Sequence, residues 1–315
     1  MEIDEARKYF EKAESFIQDG ECCDIKNYLK CVNKAIECKP DFGDAYSRRG
    51  FFLMKYGYYS HAIQDFTKAI ELNSTDSHLY TNRGVAFENN GDFQSAFNDY
   101  TRAIQLDAHN YVSYYNLGVL LRKAGDLERA FALICKVISI KPGCEPAYVE
   151  RGIIYKESGI LKEAIEDYCK AIELDPSSYQ AYCHRGEVYI FLEDHRRALN
   201  DFDEAIKLFP ERLDAYVLRA ILYSVTSRND KALDDYNHVL SRDPKNLKVL
   251  YNRGILYYHL MRYSDAIFDL GEFLKLNPKY ARAYIYRARA YSSIGKKKHA
   301  KLDYKIASQL DPELT

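Results

Sequence analysis

Small and apolar residues recur along this chain at a fixed interval. Small residues stand at Gly50, Gly84, Gly118, Gly152, Gly186, Ala220, Gly254 and Ala288, each 34 positions after the last. In the same frame an alanine recurs at Ala62, Ala96, Ala130, Ala164, Ala198, Ala232, Ala266 and Ala300. Proline closes most units, at Pro142, Pro176, Pro210, Pro244, Pro278 and Pro312, and glycine marks mid-unit at Gly57, Gly91, Gly125, Gly159 and Gly295. Proline cannot continue a helix and glycine readily ends one, so each unit reads as two helices of about a dozen residues joined by a tight turn. The glycine and the alanine lie on facing helices, where missing side chains let two backbones approach while Tyr46, Leu53 and Phe66 fill the space around them.

Units such as Ala164-Ile-Glu-Asp-Tyr-Cys-Lys-Ala-Ile-Glu-Leu-Asp-Pro176, preceded by Tyr148-Val-Glu-Arg-Gly152, resemble tetratricopeptide repeats. With the glycine at position 8, the units run 43–76, 77–110, 111–144, 145–178, 179–212, 213–246, 247–280 and 281–314. Residues 6–42 form a ninth, degenerate unit. It has Tyr9, Ala13, Phe16 and Gly20 where a first helix and its turn belong, then Ala35 and Pro40 in register, with extra residues around Cys22 to Lys26; an N-terminal cap is expected. The resemblance implies an all-α fold, a right-handed solenoid of antiparallel helix pairs, as a single domain over residues 1–315. Where other units place Ile63, Leu199 and Ile267, or Ile70, Ile206 and Leu274, the last has Lys301 and Ser308, which suits a solvated end.

Seven of the eight clear units carry arginine just before the small residue, from Arg49 to Arg287, and seven carry aspartate on the second helix: Asp65, Asp99, Asp167, Asp201, Asp235, Asp269 and Asp303. One unit lacks both and has Leu117 and Leu133. Joint loss predicts that the two are neighbours, so ion pairs within each repeat are expected, such as Arg83 with Asp99. A charge in every repeat is structural rather than catalytic, and such pairs, if exposed, contribute little.

In tetratricopeptide repeats the first helices line a concave groove, with positions 2, 5, 6, 9, 12 and 13 facing it. Position 9 here gives Phe51, Val85, Val119, Ile153, Glu187, Ile221, Ile255 and Arg289; position 5 gives Ser47, Thr81, Tyr115, Val149, Cys183, Val217, Tyr251 and Ile285. An exposed apolar stripe with two aromatic platforms favours a partner helix or an extended peptide. The alternative is that these side chains pack against neighbouring helices. Position 6 adds Asn82, Asn116 and Asn252, separated by Glu150, His184 and Leu218. Amides can hold a peptide backbone without reading its sequence, each contributing about 0.5–1.5 kcal/mol, so the apolar groove must add to them. The expected contact set is Asn82, Tyr115, Asn116, Val119, Val149, Ile153, His184, Val217, Ile221, Tyr251, Asn252 and Ile255. Capture of a heat-shock chaperone's acidic tail needs Lys and Asn at positions 5 and 9; Phe10 and Glu14, Ser47 and Phe51, and Thr81 and Val85 stand there, so that mode is not expected.

Composition narrows the function. With 45 basic and 46 acidic residues the net charge is -1, which gives no field to draw in nucleic acid or an anionic membrane. The N-terminus begins with charge, and the most apolar run, 131–140, is too short to span a bilayer and contains Lys136, so a cytoplasmic, unsecreted protein is expected. The 8 cysteines fall irregularly without a Cys-x-x-Cys pair, so neither disulfides nor zinc are expected. No phosphate loop, His-Glu-x-x-His or Gly-x-Ser-x-Gly motif occurs; neither catalysis nor a cofactor is expected, and His184, between Glu150 and Glu187, reads as a polar groove residue.

Two features stand apart from the groove. The last unit is locally basic, with Arg282, Arg287, Arg289, Lys296, Lys297, Lys298, Lys301 and Lys305 against Asp303, Asp311 and Glu313; it suits a solvated end or an acidic partner. Ala132, Leu133 and Cys135, and separately Phe268, are apolar where other units are polar; they mark either a convex contact or repacking around Leu117. The sequence thus predicts a monomeric adaptor or scaffold that binds a protein or peptide. The alternative is a permanently covered subunit of a large assembly, of ciliary or cell-cycle type.

Overall fold

In the computed structural model, which describes residues 2–18, 21–22 and 24–314, helices begin and end where the glycine and proline marks place them. The chain divides into two compact units, Met1–Gly159 and Ile160–Thr315, with the division between the two helices of repeat 145–178.

The first unit holds α1 (Glu2–Glu14) and α2 (Ile25–Cys38), then the pairs α3 (Gly43–Lys55) and α4 (Tyr59–Leu72), α5 (Ser77–Asn89) and α6 (Phe93–Leu106), and α7 (Tyr111–Lys123) and α8 (Leu127–Ile140), and ends with α9 (Glu145–Glu157). The second opens with α10 (Leu161–Leu174). Its pairs are α11 (Tyr179–Phe191) and α12 (His195–Leu208), α13 (Asp214–Val225) and α14 (Asn229–Arg242), α15 (Leu247–His259) and α16 (Tyr263–Leu276), and α17 (Ala281–Ser293) and α18 (Lys297–Leu310). Within each unit a first helix packs on its own partner and also on the first helix of the next repeat, as α5 does on α7 and α13 on α15. The first helices therefore share one side of each unit.

The expected close approach between paired helices is present. A Cβ on Gly84 would lie 2.7 Å from Tyr100 Cε1, and one on Gly186 would lie 2.6 Å from Phe202 Cε1, so the aromatic ring occupies the space that a side chain would need. The recurring Ala62, Ala96, Ala130, Ala164, Ala198, Ala232 and Ala266 are fully buried. At mid-unit, Asp92, Asp126 and Asp194 cap the second helices by accepting from the backbone N–H of Ser95, Arg129 and Arg197. The turn residue ahead of the cap is left-handed, with φ of 85° at Gly91 and 86° at Gly125. Glu193, Ser227 and Met261 hold the same place with φ of 58–59°, a conformation that costs a residue other than glycine about 1–2 kcal/mol.

The N-terminal unit departs from simple helix pairing. Between α1 and α2 lies a short antiparallel pair, β1 (Ile17–Gln18) and β2 (Glu21–Cys22), and Phe16, expected in the first helix, lies beyond its end. Gly20 and Cys23 lie outside the described residues.

The arginine–aspartate pairs form as a fork. Arg83 Nε and Nη2 donate to Asp99 Oδ2 and Oδ1 at 2.7 and 2.8 Å, and the same geometry joins Arg49 to Asp65, Arg185 to Asp201, Arg219 to Asp235, Arg253 to Asp269 and Arg287 to Asp303. These six carboxylates are only 1–6 % exposed, so the pairs belong to the packed interior rather than to a weak solvated surface. In the repeat without the pair, Leu117 and Leu133 join the apolar cluster of Ile134 and Val137. The arginines also tie repeats together: Nη1 reaches a side chain 16 residues earlier, at Asn33, Thr67, Cys169, Asp203 or Asn237. At the C-terminal end Lys301 and Ser308 are exposed, but so is Leu302.

Candidate functional site

On the first unit, the side shared by first helices carries Asn82 from α5, Tyr115, Asn116 and Val119 from α7, and Ile153 from α9, all half-buried. Val149, expected on this surface, is buried, so its role is packing. Among the described residues no hydrogen bond engages the side-chain amides of Asn82 or Asn116, which leaves donor and acceptor free. Beside them lies a charged lattice that the apolar pattern had hidden. Arg122 bonds Glu150 through Nε and Glu157 through Nη1, the latter at 2.9 Å, while Lys123 reaches Glu88 at 2.9 Å. Tyr100 donates its hydroxyl to the same Glu88 at 3.0 Å. Every cation in this lattice meets an anion of a neighbouring repeat.

On the second unit a cleft of about 340 Å³ opens on α11, α13 and α15. Gln180, Cys183, His184 and Glu187 come from the first of these helices, Asp214, Val217 and Leu218 from the second, and Lys248 from the third. Those are repeat positions 2, 5, 6 and 9, so the expected groove positions converge here. Tyr179 closes one wall: its hydroxyl accepts from Ala215 N at 2.8 Å, its edge meets Phe209, and the Arg212 guanidinium lies over its ring at 4.0 Å. His184 Nδ1 lies 3.2 Å from Glu187 Oε2, and its ring stacks on Tyr168. Val217, like Cys183, is largely buried and meets the cleft only along its wall. Farther along, Ile221, Tyr251, Asn252 and Ile255 are half-buried, Tyr251 packs against Phe273 and Tyr280, and the Asn252 amide is unengaged among the described residues.

Models of the tetratricopeptide repeat match residues 43–76, 77–110, 99–132, 183–246 and 220–272, and a further TPR repeat model matches 152–190. The chain is a tetratricopeptide repeat protein. No curated protein matches the sequence significantly. Among solved structures, a tetratricopeptide repeat protein from Parabacteroides merdae is 23% identical with a TM-score of 0.58, over 75% of this chain and 93% of that one. The Cut9–Hcn1 hetero-tetramer of the APC/C is 17% identical with a TM-score of 0.68, over 84% of this chain and 52% of that one. Pseudomonas aeruginosa pilF is 17% identical with a TM-score of 0.58, over 66% of this chain and 94% of that one. At these identities the likeness is one of fold.

The titratable groups of this tetratricopeptide repeat protein's first helices are shifted by burial. Burial pushes the Cys183 thiol up to about 12, so at neutral pH it is an uncharged packing group rather than a nucleophile beside His184. Burial, with Glu150 nearby, pushes Tyr115 up to about 12 and keeps its hydroxyl a hydrogen-bond donor. Among the described residues no group of three His, Cys, Asp or Glu is arranged to hold a metal, and no helix is long and apolar enough to cross a membrane. Glu150 was expected to face the groove beside His184; it is instead buried and held by Arg122. The opposed charges at positions 12 and 13 of one repeat and positions 6, 12 and 13 of its neighbours were the available signal for that lattice.

Proposed function

We propose that this protein is an adaptor that holds an extended peptide or helix of a partner against its first helices. Tetratricopeptide repeats and the likeness to other such proteins support a protein-interaction scaffold in general. The observation that carries the finer reading is the second-unit cleft, lined from three successive repeats by groove positions that mix apolar walls with His184, Glu187 and Lys248. The unengaged amides of Asn82, Asn116 and Asn252 add backbone-reading groups. The ligand is an apolar or extended protein segment, met by a monomeric protein in the cytoplasm. Exposed apolar side chains at the turns of the second unit, Phe191 and Met261, favour a second reading, a subunit covered by its assembly.

The test is affinity capture from cells with the intact protein beside two variants, Val119→Glu with Ile153→Glu, and Leu218→Glu with Ile221→Glu, partners being quantified by mass spectrometry. The adaptor reading expects each variant to keep its helical circular dichroism and lose the same partners by about tenfold or more. Partners retained by both variants would reject the groove and leave the covered-subunit reading.

A further inference from the structure

The arginine ladder has a gap. Arg49, Arg83, Arg185, Arg219 and Arg253 each direct Nη1 back to an acceptor on the preceding second helix, and for Arg287 the corresponding residue is Gly271. A Cβ at Gly271 would lie 3.8 Å from Arg287 Nη1, so this nitrogen faces the notch that the glycine leaves. Nε and Nη2 hold Asp303 at 2.7 Å each, whereas among the described residues no acceptor meets Nη1. The Arg287 side chain is 19% exposed, and Nη1 is not among the buried atoms left without a partner, so it keeps an open side from which an acceptor can reach it.

The surroundings of the notch are also unlike those in other repeats. Phe268, one helical turn before Gly271, is 65% exposed, and Leu302, in the same register of α18, is 57% exposed. Elsewhere that register holds Gln64, Asn98, Ala132, Glu166, Asn200 and Asp234, mostly the polar residues an outer face needs. Lys301 and Lys305 are exposed and lack an ion-pair partner among the described residues, while nearby acids are already engaged: Glu272 by Lys275, Asp269 by Arg253 and Asp303 by Arg287. Phe268 and Leu302 thus share a register of the second helices, Lys305 follows Leu302 by one helical turn as Gly271 follows Phe268, and the Arg287 guanidinium reaches from α17 to the Gly271 notch.

We propose that this outer surface of α16 and α18 docks a protein segment that presents a carboxylate beside an apolar side chain. The carboxylate accepts from Arg287 Nη1 in the Gly271 notch, in the place that Asp203 fills for Arg219, and Lys301 and Lys305 supply the attracting field. The apolar side chain covers Phe268 and Leu302. This site is independent of the groove and stands or falls separately from it.

The test uses the whole protein and a fluorescein-labelled Glu-Glu-Leu-Glu-Glu-Leu peptide, followed by anisotropy, with a Lys-Lys-Leu-Lys-Lys-Leu peptide as control. Gly271→Asp gives Arg287 an internal acceptor and removes no packing, so this variant folds. Its affinity for the acidic peptide is expected to fall about tenfold or more, while Gly271→Ala stays within about twofold of the parent. Leu218→Glu with Ile221→Glu in the groove leaves this affinity unchanged. Absence of binding to the parent, equal binding by Gly271→Asp and Gly271→Ala, loss in the groove variant, or equal binding of the lysine peptide overturns the proposal.

Discussion

Asp99→Leu is expected to destabilise the helix pair α5 and α6 by about 3–5 kcal/mol, and adding Arg83→Leu to recover most of that loss. The single change leaves the Arg83 guanidinium, with a side chain 18% exposed, facing an apolar residue in place of its carboxylate. The double change copies the neighbouring repeat, where Leu117 and Leu133 take these two positions within an apolar cluster. Stacked repeats contact only their neighbours, so unfolding need not be one step and a single melting temperature is a poor readout. Hydrogen exchange of the α5 and α6 amides measures the local opening energy directly. A coupling energy between the two substitutions of about 2 kcal/mol or more is expected. Simple additivity would mean that the pair is incidental to the packing.

Phe202→Ala carries the other large effect. The ring is fully buried and fills the space under Gly186, where an added Cβ would approach to 2.6 Å. Removing it leaves a cavity between backbones that the glycine cannot fill, at a cost of about 3–5 kcal/mol. Phe202→Leu should cost much less, because Leu270 performs the same packing under Gly254. Exchange protection is expected to fall in α11 and α12 and to stay near its parent value in α17 and α18. A uniform fall throughout the second unit would contradict a chain of locally stabilised repeats.

The helix pairs were legible because the residues that set them act locally. Glycine and proline fix turns through their own backbone, and the pairing of Gly84 with Tyr100 or Gly186 with Phe202 is set within one repeat. The arginine–aspartate forks could be inferred from the joint loss at Leu117 and Leu133. Their burial could not, since it takes Tyr80 and Phe87 flanking the Arg83 guanidinium from its own helix together with Thr67 from the preceding repeat. The same limit applies to the binding surface: Val149 and Ile153 are four residues apart on α9, yet the first is buried and the second half-exposed. Position in a repeat says which way a residue points; the neighbouring repeat decides whether anything remains uncovered. Arg122, held by Glu150 and Glu157, carries no local mark of its role because its partners lie 28 and 35 residues away. The left-handed Glu193, Ser227 and Met261 gave no glycine to mark their turns, and the β1–β2 pair is too short to show a pattern.

The adaptor reading places a partner on the first helices. Isoleucine methyl NMR tests it directly, using a partner captured by the intact protein and added to protein labelled at isoleucine. Ile153, Ile221 and Ile255 sit on α9, α13 and α15, while Ile63, Ile165 and Ile267 sit on α4, α10 and α16. Shifts or broadening confined to Ile153, Ile221 and Ile255 are the predicted result. Perturbation of Ile63, Ile165 or Ile267 with the first-helix methyls unmoved would contradict it.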